Sequence, residues 1–207
     1  MQVRSAECYP CRATKLGVTV AAECWSSGEQ RRKLFRGDPG REVLPVRLII
    51  INNGSSCVRF SRTRAQLRLL DGETLRAVPT STISEKLQHG DAAAIIIHVA
   101  TLGYGGVIAQ AVSGATQQEN RRRRQATRNC SMELAVIDPG KTLAGFVFFE
   151  LPSRARAALK DGAAACLVIT HLPCDGGEPL SFTVNLHLDE SKSLAYAQTE
   201  PNTPMER

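Results

Sequence analysis

Two residue pairs in this sequence have a spacing that could support chemistry. Cys8 and Cys11 are separated by two residues, and His171 and Cys174 are separated in the same way. A C-x-x-C pair is typical of redox dithiols, which need a preceding strand and a following helix that lowers the thiol pKa. Few residues precede Cys8, and a strand-like sequence soon follows Cys11. We therefore do not expect a thioredoxin-type activity.

A metal site is the second chemistry that these pairs allow. Zinc accepts three cysteines and one histidine, so Cys8, Cys11, His171 and Cys174 form a candidate ligand set. The two pairs lie far apart in the chain, and a disulfide from Cys174 or Cys166 to an N-terminal cysteine is an equal explanation. We expect no bound cofactor, and we keep a cytosolic zinc- or thiol-dependent protein as an alternative.

The other polar residues do not form a catalytic motif. The four histidines show no H-x-H or H-E-x-x-H spacing, and we find no Ser-His-Asp set, phosphate loop or pair of carboxylates. The chain has seven cysteines, and an odd number leaves at least one thiol outside any intramolecular disulfide. We therefore expect a protein that is not an enzyme.

Four consecutive arginines, Arg121, Arg122, Arg123 and Arg124, form the sharpest charge feature. The whole chain carries a formal net charge of +6, which suits contact with an anionic partner. The run could contact phosphate groups of lipid or nucleic acid, or it could be a solvated basic turn that closes the helical insertion. It contains no aromatic residues and no recognisable reading helix, so sequence-specific binding of nucleic acid is not expected.

Most of the sequence has the period-two alternation of β-strands. The segment at 180–188 is the clearest, because Phe182, Val184 and Leu186 alternate with polar residues. The other predicted strands lie at 17–25, 44–53, 57–60, 65–78, 131–140, 142–151 and 165–170. About seven or eight short strands predict a mainly β fold, specifically an immunoglobulin-like β-sandwich. Residues 26–43 are predicted to form a polar, basic connection.

Glycines mark the predicted turns of this sandwich. Asp71-Gly72 lies between two extended segments and predicts a hairpin. Gly140 would allow a positive φ in the turn before Thr142, and Gly145 would allow a neighbouring segment to approach its strand closely.

Residues 81–125 interrupt the strand pattern and predict a helical insertion. Thr82 and Glu85 have the spacing of a helix capping box. The stretch from Ala92 to Val112 is apolar and long enough to cross a bilayer.

Small residues recur at every fourth position of the insertion: Thr101, Gly105, Ala109 and Ser113. Such a stripe allows another helix to approach closely. A membrane span here would place the two halves of the sandwich on opposite sides of the bilayer, although each half needs the other to bury its apolar face. We therefore expect a helical excursion between two strands, with a membrane-associated 92–112 helix as an alternative.

The organisation that follows has three parts. Residues 1–14 form an N-terminal segment, residues 15–188 form the β-sandwich with its insertion, and residues 189–207 form a polar tail. The first residues contain no apolar run of signal-peptide length. We expect either a cytoplasmic protein or one whose targeting segment is absent from this chain.

Four segments resemble a loosely characterised group of bacterial envelope proteins, many of them lipoproteins. They are KLGVTVAAECW (15–25), VLPVRLIIINNGS (43–55), VRFSRTRAQLRLLDGETL (58–75) and IDPGKTLAGFVFFELP (137–152). The last segment is also similar to telokin-like immunoglobulin sandwiches. The resemblance implies a noncatalytic envelope domain, but the chain departs from the group because it contains no lipoprotein signal.

These observations together predict a binding or structural module on the periplasmic side of the bacterial cell envelope. The helical insertion and its arginine cluster are the expected contact surface. The expected partner is a protein of a cell-envelope assembly. Peripheral contact with anionic lipid is a second expectation.

Overall fold

The structure is a computed structural model that describes residue 9 and residues 11–35, 42–86, 107–160 and 164–187. The protein is mainly β, which confirms the predicted fold class at that level. The described strands are β1 (Arg12–Lys15), β2 (Val18–Cys24), β3 (Val43–Asn52), β4 (Val58–Ser61), β5 (Ala65–Leu69), β6 (Thr74–Val78), β7 (Leu134–Ile137), β8 (Lys141–Glu150), β9 (Ala164–Leu172) and β10 (Leu180–His187). The helices are α1 (Gly28–Phe35), α2 (residues 80–86), α3 (Val107–Cys130) and α4 (Ser153–Lys160), and Arg62–Arg64 form a 3-10 turn.

Eight of these strands form one antiparallel sheet, in the order β1-β2-β3-β8-β6-β5-β9-β10. The sheet curls until its first strand meets its last. Lys15 Nζ donates a hydrogen bond to the backbone oxygen of Ser181 at 2.5 Å and lies 5.9 Å from the centre of the Phe182 ring. Strands β4 and β7 form a two-stranded ribbon. The large sheet is therefore nearly closed into a barrel.

The core follows the alternation of the strands. Phe182, Val184 and Leu186 of β10 are buried and the residues between them are exposed, as the sequence predicts. Strand β3 is instead buried on both faces. Its Leu48 belongs to the main core inside the curled sheet, whereas Ile49 packs in a smaller cluster on the opposite face. Strand β3 is thus the part of the sheet that other elements cover from both sides.

Three helices pack on the outer face of β3 and β8. Phe35 of α1 lies against Phe148 of β8, with ring centres 5.5 Å apart. Ile83 of α2 is buried in the same cluster, and Cys130 at the end of α3 packs against it. We call α1, α2 and α3 together the helical layer. Its apolar side packs on the sheet, and its exposed described residues include Arg32, Lys33 and Arg121.

Helix α1 lies in the stretch that the sequence indicates as a polar connection, residues 26–43. A capping box begins it, because Gln30 N donates to Ser27 Oγ at 3.1 Å and Ser27 N donates to Gln30 Oε1 at 3.3 Å. Leu34 and Phe35 at its end are buried against the sheet. A helix this short is marginal by itself, so these tertiary contacts decide its formation.

The predicted roles of the turn glycines are confirmed. Gly72 has a φ of +85° in the β5–β6 hairpin, and Gly140 has a φ of +72° in the turn before β8. A Cβ atom at Gly145 would lie 3.1 Å from the backbone oxygen of Cys130 and 3.2 Å from the Cβ of Met132. The chain that leaves α3 therefore lies against β8 at this glycine, where a side chain would collide with it.

The side chain of Asn52, at the end of β3, is completely buried and connects three segments. Its Nδ2 donates to the backbone oxygens of Ser56 at 2.9 Å and Ile137 at 2.8 Å. Its Oδ1 accepts a hydrogen bond from Gly54 N at 3.1 Å. This one amide therefore fixes the loop after β3 and the end of β7 relative to the large sheet.

Replacing Asn52 with alanine is expected to lower the free energy of unfolding by about 2–4 kcal/mol, because buried backbone groups lose their hydrogen bonds. Urea unfolding measures this change. The matched control is Asn53→Ala, since Asn53 is exposed and should change stability by less than about 0.5 kcal/mol. Equal losses in the two variants would contradict the role assigned to the Asn52 side chain.

Candidate interaction surface on the helical layer

One side of α3 is turned toward the protein. The structure describes its side chains at position 118 and from position 120 onward. Thr127 is fully buried and Arg123 and Cys130 are half-buried, and these residues follow one another at intervals of four and three. Thr127 Oγ1 donates to the backbone oxygen of Arg123 at 2.9 Å. This register fixes which α3 residues face solvent.

Three exposed arginines, Arg121, Arg124 and Arg128, follow one another along another side of the helix. Side chains three and four residues apart on a helix are neighbours, and like charges there destabilise it by roughly 0.2–0.5 kcal/mol per pair. None of the three forms an ion pair with another residue that the structure describes. Their mutual repulsion is therefore not offset within the described part of the protein.

Helix α1 adds further positive charge to this layer. Arg32 and Lys33 are exposed near its end, and α1 contacts α3. Neither side chain forms an ion pair within the described ranges. We define the basic face as five exposed cations, the three of the α3 stripe and the two of α1: Arg32, Lys33, Arg121, Arg124 and Arg128. The basic face is the most concentrated charge on the helical layer and is the candidate interaction surface.

A single carboxylate holds both ends of the segment between β6 and β7. Glu133, just after α3, accepts a hydrogen bond from Arg62 Nε at 2.6 Å on one oxygen. Its other oxygen accepts from Thr80 Oγ1 at 2.6 Å and from Thr80 N at 3.1 Å. Arg62 also donates to the backbone oxygen of Ala77. We call Arg62, Thr80 and Glu133 the carboxylate clamp, and it fixes the start of α2 next to the end of α3.

The clamp replaces the helix cap that the sequence predicts at Thr82 and Glu85. Helix α2 begins two residues earlier, at Thr80, and the carboxylate at its start comes from Glu133 rather than from its own chain segment. Partial burial raises the pKa of Glu133, but the hydrogen bonds from Thr80 and Arg62 outweigh burial. The pKa of Glu133 therefore lies below its usual value, and the ionised form stabilises the fold.

The predicted contact residues divide into three groups. Thr101 and Gly105 lie outside the described residues. Ala109 and Ser113 lie in α3, at positions where the structure describes the backbone alone, so the small-residue stripe stays a prediction. Arg123 is half-buried against the protein, Arg121 and Arg124 are exposed on the basic face, and Arg122 is exposed on a different side of the helix.

The apolar stretch 92–112 was the alternative membrane segment. Its residues up to 106 lie outside the described ranges, and the remainder forms the first turns of α3. In the part of the chain that the structure describes, no helix combines the length and the hydropathy that a membrane span requires.

The candidate metal ligands occupy separate positions in the fold. Cys8 lies outside the described residues, so the proposed zinc set stays a prediction. Cys11 precedes β1 and packs against the main core, and Cys174 pairs with Val58 through an isolated backbone bridge. His171 is exposed in β9, with a φ of +49°. Among the described residues, no group of three histidine, cysteine or acidic side chains is arranged to hold a metal ion.

Several thiols are held in their protonated form. Burial raises the pKa of Cys24, and it raises the pKa of Cys130 to about 11. Burial also raises the pKa of Cys174. The Sγ of Cys57 donates a hydrogen bond to Asp138 Oδ1 at 3.3 Å, and this bond raises the pKa of Cys57. A raised pKa reduces the fraction of thiolate, which is the form that acts as nucleophile and metal ligand. These environments suit structural cysteines.

Sequence reasoning missed Arg32, Lys33 and Arg128 of the basic face, and it missed the carboxylate clamp that supports the layer. Arg128 lies four residues after Arg124, on the same side of the helix, so helical periodicity could have identified it. Arg32 and Lys33 depend on recognising α1, for which the capping box at its start is a local signal. Glu133 has no local signal, because its hydrogen-bonding partners lie far away in the sequence.

No protein family model and no curated protein matches this chain. Two solved structures from Bacillus subtilis, both mainly β, are similar to it. The first is ycdA, described as a "putative lipoprotein", with 13% identity and a TM-score of 0.46 over 90% of this chain and 41% of that protein. The second is the yjhA protein, with 10% identity and a TM-score of 0.42 over 87% of this chain and 98% of that protein. This chain thus spans less than half of ycdA, and neither similarity identifies its function.

Replacing Glu133 with glutamine is expected to lower the free energy of unfolding at pH 7 by about 1 kcal/mol, a value reduced for solvent screening because the Glu133 side chain is 44% exposed. Because the folded-state pKa is lowered, this stabilisation is complete above the unfolded-state pKa of about 4.3. It is lost as the pH falls through the lower folded-state pKa.

Urea unfolding at pH 7, 5 and 3 tests this pH dependence. The difference between parent and Glu133→Gln should be similar at pH 7 and 5 and smaller at pH 3. Glu178→Gln is the control, because Glu178 is exposed and forms no ion pair with the described residues. If the difference in free energy of unfolding between parent and variant grew at pH 3, the pH dependence would be opposite to the one expected for the carboxylate clamp.

Replacing Asp138 with asparagine is expected to increase the rate at which iodoacetamide alkylates Cys57 at pH 8. The substitution removes the negative charge that opposes ionisation of the thiol. Mass spectrometry of the labelled peptide measures the rate. Cys166, whose Sγ donates to Asn185 Oδ1, is an internal control in the same protein and should be unaffected. An unchanged rate at Cys57 would contradict the role assigned to Asp138.

Proposed function

We propose that this protein is a noncatalytic binding module of the bacterial cell envelope. The curled sheet serves as its scaffold, and the basic face contacts an anionic partner. The observation that carries the proposal is the stripe of Arg121, Arg124 and Arg128, which repel one another without an ion pair among the described residues. A bound anion would relieve this repulsion, since it attracts all three cations at once.

The support of α3 favours recognition over a loose electrostatic contact. Thr127 and Cys130 pack the helix against the protein, and Glu133 holds the chain directly after it. Arginine side chains present a planar fork of donors that matches carboxylate or phosphate in pairs. A fixed helix therefore offers these forks at defined spacings.

The cellular place of this module is part of the proposal. The resemblance of segments 43–55 and 137–152 to envelope proteins supports the periplasmic side of the envelope, with a protein of an envelope assembly as the partner. The same resemblance supports an immunoglobulin-like relation between the two halves of the curled sheet.

Site-specific photo-crosslinking in cells that produce the full chain tests the contact. A photoreactive residue in place of Gln125, which is exposed between the arginines, should form an adduct with another molecule. The same residue in place of Thr142, exposed on β8, should form none. Cell fractionation should place the adduct with the envelope. No adduct at position 125, or equal adducts at both positions, would overturn the proposal.

Arg124→Gln separates binding from folding. The substitution removes two like-charge contacts, with Arg121 and Arg128, and glutamine has a similar helix propensity. Its free energy of unfolding should therefore be unchanged or up to about 0.5 kcal/mol higher, while the adduct at Gln125 weakens. Urea unfolding and the crosslinking yield measure the two effects. If Arg124→Gln lost the adduct at position 125 only because the protein had unfolded, this result would count against the proposal.

A further inference from the structure

We infer that the basic face binds an acidic helical segment of another protein. This inference rests on the proposed function and names the chemistry of its partner. The inference is based on where the cations lie on two packed helices, and not on how many cations there are. The alternatives for an anionic partner are a lipid surface and a nucleic acid, and the exposed residues of α3 distinguish among them.

The spacing of the arginines matches a helix. Arg121, Arg124 and Arg128 are separated by three and four residues, so they lie along one side over about 10 Å of helix axis. Acidic side chains at the same intervals on a partner helix would repeat over the same length. Two helices that pack side by side can therefore pair one carboxylate with each guanidinium, in the bidentate geometry that arginine favours.

The exposed side chains that the structure describes around these arginines are all polar. Besides Arg121, Arg124 and Arg128, the exposed residues described between 118 and 130 are Gln118, Arg122, Gln125 and Asn129. Helices that lie on a membrane present apolar side chains to the acyl boundary, and this part of α3 presents none. It also lacks the aromatic side chains on which the bases of single-stranded nucleic acid stack. These absences favour a protein partner.

Helix α1 extends the surface beyond α3. Arg32 and Lys33 lie on the same helical layer, next to α3, and no described acidic side chain pairs with them. A partner that reaches from the α3 stripe across to α1 would therefore meet two further cations that lack a described acidic partner. The partner is therefore expected to carry acidic residues on more than one side of the contact.

Fluorescence anisotropy with defined probes tests this inference on the full chain. The matched probe is a labelled helical peptide with glutamates at positions i, i+3 and i+7. The permuted probe has the same composition, with its glutamates placed on different sides of the helix. The matched peptide should bind about tenfold more tightly, a gain that three exposed ion pairs can provide, and high salt should weaken it.

Two variants assign the binding to the basic face. The triple variant Arg121→Gln, Arg124→Gln and Arg128→Gln should bind the matched peptide no better than the parent binds the permuted one. Arg76→Gln changes an exposed arginine of β6 that belongs to neither α1 nor α3, and it should leave binding unchanged. Urea unfolding of both variants verifies that the fold is retained. Equal losses in the two variants would overturn the inference.

Vesicles that contain phosphatidylglycerol and a single-stranded oligonucleotide complete the comparison. If either binds through the basic face and neither peptide does, the acidic-helix inference is wrong while the proposed anionic contact stands. If both peptides bind equally well, the basic face recognises charge alone, and the proposed match between the glutamate spacing and the arginine spacing is wrong. If no anionic probe binds and position 125 forms no crosslink, the proposed function fails as well.

Discussion

The hydrogen-bonded carboxylate of Glu133 is the constraint on which the helical layer depends. It joins Arg62, which precedes β5, to Thr80, which begins α2, and it directly follows α3. One side chain therefore determines where the chain leaves the sheet and where it returns. The ionised form is favoured because three hydrogen bonds and a nearby guanidinium outweigh the effect of partial burial. The hydrogen bonds of Glu133 hold the end of α3 in place. The helix propensity of the α3 sequence by itself does not fix this position.

The sheet is arranged to receive this layer. Strand β8 carries buried phenylalanines on its outer face, and Gly145 leaves room for the chain that emerges from α3. Thr127 and Cys130 then pack toward the protein, so the described α3 side chains on the stripe of Arg121, Arg124 and Arg128 face solvent. The exposure of Arg121, Arg124 and Arg128 thus follows from the packing of their neighbours.

The protonated thiols and the charges of the basic face both support the proposed noncatalytic binding role. The cysteines whose pKa values are raised are suited to packing, because their thiols stay protonated where a nucleophile would ionise. The cations of the basic face instead carry an uncompensated repulsion within the described residues. This uncompensated charge on a packed helix supports the proposed contact with an anionic partner.

The sequence by itself determined the features that depend on near neighbours. The alternation around Val184 placed β10, and Gly72 and Gly140 marked turns, because strand periodicity and positive φ are local properties. Only the tertiary structure decided which segments meet. The contact of Lys15 with Ser181 closes the sheet, and Glu133 selects partners from distant segments, because a hydrogen bond depends on distance in space and leaves no trace in the spacing of residues along the chain.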